Sequence, residues 1–70
     1  MSNVPDNWRI VDPPKPARVR LPGRDVEVDA LIIGLNDTQP FPILIDYAVP
    51  LEPARIARIT VRLADVVGTK

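Results

Sequence analysis

The sequence predicts an all-β domain. Three observations carry that expectation. Residues 17–21 and 25–29 alternate apolar and charged side chains on either side of Pro22-Gly23, as half-buried strands joined by a turn do. Residues 30–47 hold two apolar runs, rich in the Ile, Leu and Phe that suit a pleated, buried strand, around the polar segment Asn36-Asp37-Thr38-Gln39-Pro40. Near the other end, Ala57, Ile59, Val61 and Leu63 alternate with Arg58, Thr60 and Arg62.

Residues 1–7, MSNVPDN, are polar and read as an arm. Trp8-Arg9-Ile10-Val11 has the pattern of a short strand with Trp8 and Ile10 on one face. Trp8 is the sole tryptophan. It reads either as a plug over one end of the core or as an exposed anchor for a partner, since Trp is enriched at binding hot spots. The prolines of Asp12-Pro13-Pro14-Lys15-Pro16 cannot donate to a ladder and favour polyproline II. Residues 13–18 also match the PxxPx[RK] pattern of peptides that bind polyproline-reading domains. The simpler reading is a stiff spacer that holds the arm away from the domain.

Folding the chain about Pro22-Gly23 pairs Arg20 with Asp25, Val19 with Val26 and Arg18 with Glu27. Opposite charges then share one face and apolar residues the other, each ion pair adding roughly 0.2–1 kcal/mol. Asp25, Glu27 and Asp29 lie on one strand face, but their arginine neighbours make salt bridges the expected outcome and a cation site the unexpected one. The second strand continues to Leu35, with Gly34 where a long strand kinks or bulges. Asn36 and Asp37 favour a turn, and Pro40 stops the ladder. Pairing Leu35 with Phe41 sets Ile33 opposite Ile43, Leu31 opposite Ile45 and Ile32 opposite Leu44. Both faces of this central hairpin are then apolar, so either the strands bend and both faces meet protein, or one meets a partner. Residues 48–54 are a loop with two prolines. For residues 55–63, Ile56, Ile59, Leu63 and Val66 also fit a helical spacing. The β-branched content and clean polar face decide for a strand, followed by a short turn and closing strand.

Composition limits function. Seventy residues make one small domain that buries only about 60% of its unfolded surface. The chain has no Cys and no His, which removes a disulfide framework, thiolate metal sites and the commonest general base. Three scattered glycines make no phosphate loop. No catalytic residue, cofactor or metal site is expected, nor a small-molecule substrate. Nine basic and nine acidic residues give a net charge of zero, against the basic excess of a general nucleic-acid binder. No leader or membrane-spanning segment is visible, so a cytoplasmic or virion-associated protein is expected.

Two stretches carry a resemblance: residues 34–47, with a glycine, a variable loop and a Pro-aromatic-Pro-apolar strand, and Val61-Arg62-Leu63-Ala64-Asp65-Val66, a strand leading into one helical turn and a closing strand. Over residues 17–67 the chain resembles the SH3-like small β-barrels. The resemblance implies a five-stranded barrel over 17–67, with a proline-rich N-terminal arm and spacer over 1–16 and a tail over 68–70. Such modules bind proteins, peptides or nucleic acid, and occur as accessory domains and small phage proteins. With only Trp8, Phe41 and Tyr47 aromatic, the chain departs from the peptide-binding members and their aromatic groove.

The expected function is a non-enzymatic protein–protein interaction or assembly module, through self-association or a protein partner. Trp8, Leu31, Ile33, Leu35, Phe41, Ile43 and Ile45 are its candidate contacts. The alternative is a nucleic-acid-binding barrel, with Arg55, Arg58 and Arg62 along one strand face as a phosphate track.

Overall fold

The computed structural model describes residues 4–69. Five strands make one antiparallel sheet: β1 (Arg9–Arg20), β2 (Glu27–Leu35), β3 (Ile43–Val49), β4 (Glu52–Val61) and β5 (Val66–Thr69), with a single 3-10 turn, Leu63–Asp65, before β5. Their order across the sheet is β4-β3-β2-β1-β5. The all-β expectation holds, and residues 55–61 are strand rather than helix.

Ala17 and Val19 of β1, Ala30 and Ile32 of β2, Ile43 and Ile45 of β3 and Val61 of β4 form one buried cluster, with Val66 of β5 packed against it. Neighbouring strands lie about 4.8 Å apart. Inward side chains from all five strands meet only because the sheet curls around them. It does not close: β4 and β5 are its two edges.

The first hairpin keeps the expected faces but moves its register by two. Arg20 pairs with Glu27, Val19 with Val28 and Arg18 with Asp29. The cause is the turn. Arg24 N–H donates to the Leu21 carbonyl at 3.0 Å, and Gly23 has φ +75°. Pro followed by a positive-φ Gly is a type II turn, whose twist splays two strands and does not close a two-residue hairpin. The ladder therefore restarts at Leu21 N–H to Val26 O, 2.9 Å.

The central hairpin is corrected by one residue and then by a bulge. Leu31 faces Asp46 and Ile32 faces Ile45, while Gly34 faces Leu44. Ile33 is the extra residue. A shift of one exchanges faces, which is why Ile32 is buried and Leu31 is exposed. The turn is as expected: Thr38 N–H and its hydroxyl both donate to Asn36 Oδ1, at 3.0 and 2.6 Å.

The proline run is not a spacer. Residues 9–16 belong to β1: Arg9 pairs with Leu35, Ile10 with Gly34, Lys15 with Ile32 and Pro16 with Leu31. Residues 11–14 bulge out opposite Ile33, so Pro13 and Pro14 sit where no ladder donor is needed. The tail over 68–70 also shortens, because Gly68 and Thr69 pair with Arg18 and Ala17. Residues 1–3 of the arm and Lys70 lie outside the described residues.

Candidate functional site

The expected contact residues divide by burial. Ile33, Ile43 and Ile45 are 8%, 7% and 0% exposed, so they are core and not partner contacts. Ile43 and Ile45 face inward with Val61 and Ile59, and Ile33 is enclosed at the bulge. Trp8 and Leu35 are half-buried, and Leu35 packs against the core. Leu31 and Phe41 remain exposed.

The second apolar face of the central hairpin is covered in part by this chain's own N-terminal segment. A side-chain carbon placed on Gly34 would lie 3.2 Å from Val4 Cγ1, 3.5 Å from the Arg9 carbonyl and 3.5 Å from Leu44 Cδ2. The segment is tied down by Asn36 Nδ2, which donates to the Asn7 carbonyl at 2.9 Å, and by a turn closed by Trp8 N–H to Pro5 O, 2.9 Å.

Further along the same hairpin the outward face stays open. Pro16, Leu31, Asp46 and Arg58 stand in one row across β1 to β4, each paired with the next. Beside them lies the Ala48–Ile56 pair. An open groove of ≈ 410 Å³ runs here, lined among others by Pro16, Asp29, Leu31, Asp46, Tyr47 and Ile56. Leu31 is 43% and Ile56 63% exposed, and Leu51, at the nearby β3–β4 connection, is 94% exposed. Neither Ile56 nor Leu51 is among the contacts expected from the sequence. Ile56 shares the parity of Arg58 and Thr60, and that alternation was its available signal.

Ion pairs border this apolar strip. Arg18 Nη1 donates to Asp29 Oδ1 at 3.1 Å and Arg20 Nη2 to Glu27 Oε2 at 3.2 Å. Arg58 holds Asp46 in a fork, Nε to Oδ1 at 2.8 Å and Nη2 to Oδ2 at 3.1 Å. These hydrogen bonds raise the pKa of Arg18 and Arg58 above the ordinary arginine value, against the opposing effect of desolvation.

The arginine track does not assemble. Arg55 lines a depression with Ala57 and Ile59 on the inward side of β4, while Arg58 is in the outward row. Residues three apart on a strand point to opposite faces. Each of the three also has an acid: Arg55 with Glu52 at 3.5 Å, Arg58 with Asp46, and Arg62 with Asp65 at 3.2 Å.

Arg62 and Asp65 build the corner between β4 and β5. The Arg62 backbone N–H donates to Asp65 Oδ2 at 3.0 Å, and Asp65 N–H returns a bond to the Arg62 carbonyl at 2.9 Å. Asp65 is 8% exposed. Its pKa is lowered, first by the Arg62 side chain and then by the Arg62 backbone N–H, with desolvation opposing.

Among the described residues, no three acidic side chains gather as a metal would need, and no helix is long and apolar enough to cross a membrane. Comparison with known proteins gives no matching family model, no similar curated sequence and no matching solved structure.

Proposed function

We propose that this chain is a small SH3-like barrel that works as a non-enzymatic protein–protein interaction or assembly module. The strand order and the single 3-10 turn before β5 support the barrel reading. The observation that carries the function is the outward strip of Leu31 and Ile56, apolar, exposed and framed by the Arg18–Asp29 and Arg58–Asp46 pairs. An apolar patch with a polar rim suits a protein surface. A nucleic-acid surface needs a contiguous basic face. The split between Arg55 and Arg58, and their neutralisation, weigh against one on β4.

The test compares the wild-type chain with a Leu31→Asp/Ile56→Asp variant. Light scattering after size exclusion reads self-association, and affinity capture reads a foreign partner. The expected result is an assembly or a specific partner that the variant loses while its circular dichroism stays unchanged. A wild-type chain that is monomeric at high concentration and captures nothing overturns the proposal.

A further inference from the structure

Edge strand β4 leaves a seam against the turn joining β1 to β2, and the seam has its own chemistry. Between the inward side of β4 and the turn joining β1 to β2 lies a depression of ≈ 380 Å³, lined among others by Leu21, Arg24, Tyr47, Val49, Arg55 and Ile59. Leu21 is buried, and Tyr47 and Ile59 pack against the core, which gives the depression an apolar floor. Two arginines line it from separate elements, Arg24 in the turn and Arg55 on β4. Among the described residues Arg24 has no carboxylate partner. Arg55 has Glu52 at 3.5 Å, with side chains 72% and 62% exposed, a pair open to water and weak. A guanidinium carries five donors, more than one such contact uses.

We propose that this seam takes an extended, acidic and apolar segment of a partner protein as a sixth strand on the free edge of β4. The idea rests on the protein-binding reading above and names the chemistry of a second contact, on the other side of β4 from Ile56. Strand addition draws affinity from the main chain and specificity from alternate side chains. Arg55, Ala57 and Ile59 form the β4 row beside the depression. The matching row of an added strand sets apolar side chains against Leu21, Val49 and Ile59, and a carboxylate between Arg55 and Arg24. Pro53 withholds a donor at the start of β4, so the new ladder runs over residues 54–61. A second copy of β4 is the poorer occupant. Its inward row of Arg55, Ala57, Ile59 and Val61 brings an arginine and no carboxylate to meet Arg24 and Arg55, and like charges across strands repel.

The probe is a short peptide of alternating valine and glutamate, acetylated and amidated so that no terminal charge contributes. Its control has glutamine for glutamate. Fluorescence anisotropy reads affinity, and hydrogen exchange locates the contact. The glutamate peptide is expected to bind, the glutamine peptide roughly tenfold more weakly, and amides of residues 54–61 gain protection. Arg24→Ala and Arg55→Ala, both at exposed positions, each reduce the preference for glutamate, whereas Arg9→Ala, at the opposite end of β1 from that turn, keeps it. Equal binding of the two peptides, no binding, or protection away from β4 overturns the proposal. So does dimerisation through β4, or an oligonucleotide that protects the same amides more strongly. If the peptide fails but partner capture is still lost on Leu31→Asp/Ile56→Asp, the seam is refuted and the outward strip stands. Failure of both removes both.

Discussion

Arg62 lies over Phe41, its guanidinium carbon 5.7 Å from the ring centroid, while the same guanidinium holds Asp65. One side chain thus joins the loop ahead of β3 to the corner ahead of β5. Phe41, expected to face a partner, is occupied in this contact on one side.

Asp65 should therefore matter more than its place near the chain's end implies. Asp65→Ala removes the acceptor for the Arg62 backbone N–H and is expected to cost about 1.5–3 kcal/mol, the range for hydrogen bonds to charged groups. Urea unfolding checks it, and no measurable loss would contradict this account of the corner.

Acid should weaken the same corner. The folded pKa of Asp65 is lowered below its unfolded value. Its contribution is fully present above the ordinary carboxylate pKa of about 3.9 and is lost as pH falls through the lower folded value. Stability measured from neutral pH downward should fall in that acid range, and Asp65→Asn should flatten the part of the slope due to this residue.

Core truncations separate the two sides of the central hairpin. Ile45→Ala, at a site with no exposure, is expected to cost about 2–5 kcal/mol. Leu31→Ala, on the open face, should stay within about 1 kcal/mol. Equal costs in chemical denaturation would refute the observed register.

Gly34→Ala tests the cover of the far face. The added methyl sits 3.2 Å from Val4 Cγ1, so the Val4 side chain must give way by a few tenths of an ångström. A loss of about 1–3 kcal/mol is expected, with a change in Trp8 fluorescence. Val4→Ala in the same chain should recover part of it. Additive losses would show that Val4 is not the obstacle.

DNA binding should be weak and indifferent to sequence at about 150 mM salt. A gel-shift assay checks this. Tight binding abolished by Arg58→Glu would reverse the ranking of protein over nucleic acid.

Much of this fold was legible because alternation is a local signal. The inward faces of residues 17–19 and 28–30 follow from it, and the strand over residues 55–61 does too. Register was less legible. It depends on turn geometry that Pro22-Gly23 announces only as a turn, and on an unpaired residue at Ile33 that two apolar faces conceal. The prolines misled for a related reason: a missing donor excludes a regular ladder, yet a bulge tolerates it. Arg55 and Arg58 suggest one basic face when read along the sequence, but their odd spacing puts them on opposite sides of β4. The place of Arg24 is not legible in the sequence, because an isolated arginine in a turn has no pattern. Only the approach of β4 to that turn gives it neighbours.

The pairing of Ala17 with Thr69 also decides which edge the sheet presents. β1, β2, β3 and β4 pair with neighbours in the chain, but β1 takes its outer partner from residues 66–69. With β5 undocked, the backbone beside Val19 and Ala17 is an open edge of a long strand. Docking replaces that edge with the outer side of a strand of four residues, and a very short edge strand is one way a sheet avoids pairing with other chains.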